Sequence, residues 1–403
     1  MKKPELLAPA GDLERLKWAI MYGADAVYLG GSVLGLRANA TNFTIEEMRE
    51  GVEFAHERGK KVYVTVNSIL HNQELSLLDD YLKQLEAVQV DALIVADPYV
   101  IRRIQAVIPT MEIHLSTQQS TLNCEAVNFW YKQGITRIVL GREVNRDEMK
   151  EILQSTDAEI EVFIHGSMCA FYSGRCVLSN YLTARDANRG GCSQICRWDF
   201  DFYDSHKQNR TGEKPFTMCT KDLSMLRHIP ELIAMGVTSF KIEGRMRSIY
   251  YLATVVDIYR KVIDESINNC KQVTYNKNYE QILRNVANRD SVPQFFEGNP
   301  GMEGQYYNGR MEVSNQDFLA VVLDYDTEKN EVILEERNYF KVGDDVQIFG
   351  PNRKTITFTI PKIMDQDGVS IQVARHPKQI IRIPFKEPIE KNCIMRMKRV
   401  DIS

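Results

Sequence analysis

The sequence has no apolar run approaching the roughly 20 residues that span a bilayer. Its opening, MKKPELLAPAGD, meets Pro4 and Glu5 at once and lacks the apolar centre of a secretion signal. A soluble, cytoplasmic chain is therefore expected. No G-x-G-x-x-G follows the first apolar run, which withholds support from a dinucleotide site. H-E-x-x-H and G-x-S-x-G are also missing, so neither a zinc-protease helix nor a nucleophile elbow is encoded. Positive charge is in slight deficit, with a net charge of −4, so any nucleic-acid contact must come from a local basic patch. With 403 residues, 44% of them hydrophobic and 26% charged, the chain is neither disordered nor fibrous and is long enough for a barrel plus an appendix.

What is present in excess is clustered cysteine. Four of the eight cysteines, Cys169, Cys176, Cys192 and Cys196, fall within EVFIHGSMCAFYSGRCVLSNYLTARDANRGGCSQICRW. A reducing cytosol disfavours disulfides and a large chain does not need them, which leaves metal or redox chemistry. Zinc prefers short C-x2-C knuckles, and none occurs. The looser spacing, with Gly174, Gly190 and Gly191 beside the thiols, suits an iron–sulfur cluster better. Arg175, Arg189 and Arg197 could offset thiolate charge, and Cys219 is a reserve ligand. Cys124, Cys270 and Cys393 are isolated and read as packing or surface thiols.

The first 245 residues repeat a short apolar run, a polar turn and an amphipathic run. Strands are expected at Glu5–Ala8, Ala26–Leu29, Val62–Val66, Ala92–Val95, Glu112–Leu115, Arg137–Leu140, Glu161–Ile164 and Ser239–Ile242. Asp12 can cap one helix, and Thr44 with Glu47 forms a capping box for another. Alternating strands and helices of this number imply an α/β fold, a (β/α)8 TIM-like barrel, with an open doubly wound sheet as the alternative. The seventh unit is stretched by an insertion at 165–220 that carries the cysteine cluster, at the strand end where barrels place their active sites. Helices are expected over Met246–Asn269 and Tyr279–Ala287.

Beyond residue 300 the texture becomes short strands and turns. The division expected is 1–300 for the catalytic barrel and 301–403 for a small all-β, barrel-like domain, with strands at Phe318–Leu323, Glu331–Glu335, Asp345–Phe349, Thr355–Ile360, Val369–Val373 and Cys393–Met397. From Ile371 onward eight Lys/Arg face three acidic residues. That excess suits an RNA-binding appendix or a solvated charged face.

The cysteine block resembles the signature of the collagenase-like peptidase family U32. LLAPAGDLERLKWAIMYGADAVYLGG, TKDLSMLRHIPELIAMGVTSFKIEGRMRS and NYFKVGDDVQIFGP with VARHPKQ extend the resemblance over most of the chain. The tail block points to the branch that hydroxylates tRNA. The resemblance implies a 4Fe-4S cluster on Cys169, Cys176, Cys192 and Cys196, with Cys219 in reserve, and prephenate-dependent 5-hydroxylation of the wobble uridine of tRNA. The alternatives are a U32-type peptidase, hydroxylation of an rRNA base or a quinone precursor, or an assembly factor with a structural cluster. A protein partner or a homo-oligomer is left open.

Prephenate carries two carboxylates, so cations are expected at strand ends. Arg37, Arg142 and Arg245 are the candidates, with Asn67 and Gln118 as hydrogen-bonding groups for substrate or a flipped base. Lys241 and Glu243 alternate around Ile242 and should enter the barrel mouth, either as catalytic groups or as a structural salt bridge. His165 abuts the cluster motif and completes the catalytic set. Its neighbours Ser167 and Cys169 also suggest a protease-like Cys–His pair, but a cysteine that ligates iron cannot be the nucleophile. Tyr172 and Trp198 could stack on a base or shield the cluster.

Overall fold

The computed structural model describes residues 3–31, 42–212, 215–268, 276–287, 289–306, 317–351 and 353–399. Arg37 and Cys270 lie outside them. Strands β1 (Glu5–Pro9), β2 (Ala26–Gly30), β3 (Lys61–Val66), β4 (Ala92–Val95), β5 (Glu112–Leu115), β6 (Arg137–Val139) and β7 (Glu159–Gly166) pair in parallel sequence. After β8 (Asp222–Ser224), strand β9 (Ser239–Ile242) pairs in parallel with both β7 and β1 and closes an eight-stranded parallel barrel. β8 was not anticipated: it adds antiparallel to the end of β7, pairing His165 with Ser224, and β10 (Ser291–Val292) adds beside it.

Around the strands lie α1 (Leu13–Met21), α2 (Ile45–His56), α3 (Leu75–Ala87), α4 (Pro98–Val107), α5 (Cys124–Lys132) and α6 (Arg146–Gln154). A short α7 (Leu178–Thr183) sits in the insertion, followed by α8 (Ile229–Met235), α9 (Ile249–Asn268) and α10 (Lys277–Ala287). The helix starts follow from local chemistry. Asp12 accepts from the Arg15 amide, and Thr44–Glu47 and Asn145–Glu148 form capping boxes, which satisfy amides that have no partner inside the helix. Every residue of β2 and β4 is buried, as a parallel sheet covered on both faces requires. Leu16, Val52, Leu82, Ile104, Ile152 and Tyr259 belong to the continuous outer core between strands and helices.

The barrel interior is different. Leu7, Tyr28, Tyr63 and Ile94 belong to a small cluster there, and next to it lies a buried group of charged side chains. Arg137 Nη1 donates to Glu5 (2.6 Å) and to Glu161 (3.4 Å), and its Nε donates to Glu159 (2.9 Å). Tyr63 donates to Glu5 (2.7 Å), and Ser239 to Glu161 (3.0 Å). Burying charges is tolerable only when each is paired and hydrogen-bonded, and here each partner meets that condition.

The C-terminal domain comprises β11 (Phe318–Asp326), β12 (Glu331–Glu336), β13 (Phe340–Lys341), β14 (Asp345–Phe349), β15 (Ile356–Thr359), β16 (Ile363–Asp365), β17 (Ser370–Ile371), β18 (Val373–Ala374), β19 (Ile380–Pro384) and β20 (Ile394–Met397). Eight of these form one antiparallel sheet in the order β15-β14-β20-β11-β12-β19-β16-β17, and β13 pairs with β18. Leu319, Val332, Ile348, Ile381 and Met395 fill its own core. The strands at β13, β16 and β19 were not foreseen, and the run expected over Val369–Val373 divides into β17 and the start of β18.

This domain is joined to the barrel by aromatic contacts. Tyr22 meets Phe349 edge-on (6.0 Å between ring centroids), and Tyr250 stacks on Phe318 (5.0 Å). The Tyr22 hydroxyl donates to the Asn392 carbonyl (2.8 Å), and Val321, Phe349 and Ile394 merge into the barrel's outer core. The positive tail does not form an uninterrupted stripe. Arg382 pairs with Asp326 and Glu331, Arg399 with Asp317, and Arg396 is buried against Gln347 and Phe349.

Candidate functional site

A cavity of about 230 Å³ opens at the C-terminal ends of the barrel strands, beneath the insertion. Lys241, Glu243, Arg245, Arg142, Asn67 and Gln118 all line it, together with Cys169, Cys176 and Cys192. The strand ends and the cysteine insertion therefore build one site, as the barrel geometry demands. Tyr28, Thr65, Ser116 and Asn188 also line it and were not singled out from the sequence. Thr65 could have been found by stepping back two residues from Asn67, since alternate strand residues share a face.

Lys241 forms the cavity floor. Its ammonium donates to Glu161 (2.7 Å) and lies 4.6 Å from the Tyr28 ring centre. Glu161 is fully buried. Burial works to raise its pKa, yet Lys241 and Arg137 hold it at about 2. Lys241 is thus ion-paired to Glu161, a residue no sequence reading had selected. Glu243 accepts from the Tyr28 hydroxyl (3.2 Å), which also donates to the Ile242 carbonyl (3.0 Å).

Two cations flank the floor. Arg245 is 5% exposed and donates to Asn42 (3.2 Å). Its guanidinium lies so close to Gly30 that a Cβ there would sit 2.7 Å from it and would push the guanidinium aside. Arg142 lies 4.0 Å over the Phe163 ring and donates to the Ser167 carbonyl (3.3 Å).

Amides form the opposite wall. Gln118 is 6% exposed; its Oε1 accepts from Ser116 (3.0 Å), while its Nε2 has no partner among the described residues. Oδ1 of Asn67 and Oδ1 of Asn188 are likewise buried and unpaired among those residues. The Ile69 amide donates to the Asn188 carbonyl (3.3 Å), tying the insertion to the end of β3. Gly174, at φ +71°, lies against Gln118, and a Cβ there would fall 3.0 Å from Cβ, Cγ and Nε2 of that side chain.

His165 is not in the cavity, which corrects its expected place in the catalytic set. The β7–β9 pairing slips between Phe163 and His165, leaving Ile164 as an extra residue. A bulge of this kind breaks the alternation of sides. Phe163 therefore faces the cavity, while His165 packs outward on Tyr251 and Tyr259 of α9. Its Nδ1 lies 3.2 Å from the Tyr259 hydroxyl. Burial, aided by Arg247, drops its pKa to about 3, so the imidazole is neutral. No Cys–His pair of the protease type is formed with Cys169.

The thiols of Cys169, Cys176, Cys192, Cys196 and Cys219 are free; Cys169 and Cys192 are exposed and Cys219 is buried. Although the Cys169 residue reaches solvent, the protein packed around its thiol desolvates it and raises its pKa, against a hydrogen bond with the Phe171 backbone and the charge of Arg142. Burial, then the charge of Cys169, lifts Cys196 to about 11, against Arg197. Arg142 and Arg197 are thus the cations that act on these thiols. Arg189 is spent on Glu74, and Arg175 is exposed. Among the described residues no group of three His, Cys, Asp or Glu is arranged to hold a metal ion. Three of the free thiols, Cys169, Cys176 and Cys192, meet at one cavity, and thiolate is the donor that an iron–sulfur cluster takes. Tyr172, on the cavity wall, and Trp198 are 51% and 44% exposed.

Comparison with known proteins places these features in context. Residues 11–306 match the peptidase family U32 and residues 314–396 its C-terminal domain. The chain is 50% identical to tRNA hydroxylation protein P1 of Bacillus subtilis, over 98% of this chain and 95% of that one. It is 42% identical to the 23S rRNA 5-hydroxycytidine C2501 synthase of Escherichia coli, over 65% of this chain and 40% of that one. It is 30% identical to a Porphyromonas gingivalis protein named collagenase, over 96% and 95% of the two chains. Among the described residues no helix is long and apolar enough to cross a membrane.

Proposed function

The chain belongs to peptidase family U32, and from that membership we propose that it is a tRNA-modifying enzyme that supports prephenate-dependent 5-hydroxylation of the wobble uridine. The observation that carries this reading is the joining of three cysteines, two arginines and three unpaired carboxamide groups in one cavity at the barrel mouth. The 50% identity to a protein named for tRNA hydroxylation supports it along nearly the whole chain. A peptidase reading draws on the family's name and on the relative named collagenase. The outward turn of His165 takes away the base such a reading would use.

In this proposal Cys169, Cys176, Cys192 and Cys196 would hold a 4Fe-4S cluster, which when bound would supply one-electron chemistry beside the cavity. Arg142 and Arg245 bind the carboxylates of prephenate, since guanidinium forks match carboxylate geometry. Glu161 holds the Lys241 ammonium in an ion pair, so the floor presents a cation fixed in place. Glu243, oriented by the Tyr28 hydroxyl, is the carboxylate positioned to hold a proton. The C-terminal domain grips tRNA backbone through the exposed Arg375, Lys378, Lys386 and Lys391, while Arg382 and Arg399 are engaged by acidic neighbours.

Mass spectrometry of tRNA nucleosides from a deletion strain tests the reading. Hydroxylated uridine should disappear, return with the wild-type gene and stay absent with Cys169→Ser. Unchanged 5-hydroxyuridine derivatives in the deletion strain would overturn it. Incubating the pure, cluster-loaded protein with gelatin tests the other reading: cleavage abolished by Cys169→Ser would establish a peptidase.

A further inference from the structure

The cavity's unpaired amide atoms form a pattern, and we propose that Asn67 and Gln118 read the edge of a uracil base within it. This rests on the RNA-hydroxylation reading above and goes further by assigning the residues that select the base.

A buried polar atom without a partner costs free energy, so one that persists in a cavity marks the place of a ligand atom. The unpaired atoms here have opposite roles. Gln118 commits its Oε1 to the Ser116 hydroxyl, which leaves Nε2 as a donor. Asn67 presents Oδ1 as an acceptor. Both side chains line the same cavity, from the ends of β3 and β5. Asn188 Oδ1 is a second acceptor, brought from the insertion.

The Watson–Crick edge of uracil presents N3–H, a donor, between the O2 and O4 carbonyl acceptors. An acceptor at Asn67 meets N3–H, and a donor at Gln118 meets the O4 carbonyl. Cytosine reverses two of the three groups. Its N3 is an acceptor and would face Asn67 Oδ1, and its exocyclic amine would leave the Gln118 donor opposed by another donor. Sites built on hydrogen bonds reject a mismatched analogue strongly, because the mismatch strands buried polar atoms. Gly174 belongs to this device. Its bare backbone lets the loop between Cys169 and Cys176 lie directly on the Gln118 amide, so the cysteine loop holds the reader in place.

The test uses the full chain and three anticodon stem-loop RNAs that differ at one loop position: uridine, cytidine or 3-methyluridine. Binding is read by fluorescence anisotropy. The wild type should favour uridine over both others by about tenfold or more. Gln118→Glu converts the donor into an acceptor of nearly the same shape. It should reduce the uridine preference and bring cytidine to parity or above. Asn67→Ala should bind uridine and 3-methyluridine alike. Because each ratio is taken within one variant, a loss of folded protein does not imitate the result. Equal binding of all three RNAs by the wild type overturns the base-reading assignment and leaves the tRNA reading standing. Failure to bind any of them overturns both.

Discussion

The Lys241 ammonium lies 2.7 Å from a carboxylate oxygen of Glu161, a side chain with no solvent exposure, at the floor of the cavity. Removing Glu161 strands the buried Lys241 ammonium, and removing Lys241 leaves Glu161 only the longer 3.4 Å bond from Arg137 and the Ser239 hydroxyl. Glu161→Gln and Lys241→Met should each destabilise the fold by about 3–5 kcal/mol. The double variant should cost clearly less than the sum of the two, because the isolated buried charge is gone. Urea unfolding of the four proteins checks this, and additive losses would show that the pair is not coupled.

His165 provides a pH dependence whose sign is fixed. Its folded pKa, about 3, lies below the value of about 6.5 for a free histidine. The unfolded chain therefore binds the proton first on acidification. The stability contributed is complete above about pH 6.5 and is lost as the pH falls toward 3, at up to ~1.4 kcal/mol per unit. His165→Asn should flatten this part of the stability–pH curve relative to wild type. An unchanged slope would place the imidazole in water.

The thiols carry a prediction about ligand choice. After anaerobic reconstitution, Cys192→Ser and Cys196→Ser should lose most bound iron and sulfide, whereas Cys219→Ser should retain them. Iron and sulfide assays with the visible absorbance decide it. Retention in Cys196→Ser with loss in Cys219→Ser would transfer the fourth place to the buried thiol.

Gly174→Ala tests the contact between the cysteine loop and the amide wall. The added methyl meets Gln118 at 3.0 Å in a left-handed backbone that disfavours alanine, so both strain and displacement follow. A loss of about 1 kcal/mol in stability is expected, together with a larger proportional loss of hydroxylated tRNA in a complemented deletion strain. Activity that falls no further than folded protein would show that the contact is structural only.

The barrel was legible because its strands are short apolar runs separated by strong helix starts such as Asp12 and Thr44. The cavity was legible where residues end those runs: Asn67, Gln118, Arg142, Lys241, Glu243 and Arg245. Other parts were hidden for identifiable reasons. His165 follows a bulge, and a one-residue slip reverses the side a strand residue faces. Arg137 and Glu161 read as polar boundaries of their strands, because a charge pair across a barrel interior leaves no periodic trace. Strand β8 is three residues long and takes its identity from the β7 edge. In the C-terminal domain, the tail's charge was visible but its partners Asp317, Asp326 and Glu331 were not, since antiparallel pairing brings them from just before β11, from its end and from the start of β12.

The ionic plug of Glu5, Arg137 and Glu161 closes the barrel beneath the cavity, so among the described residues the pocket is entered from the side of the insertion. Under the proposed function, a nucleobase seated at that rim requires any smaller co-substrate to arrive first and its product to depart after the RNA, an order that rapid-mixing experiments would register.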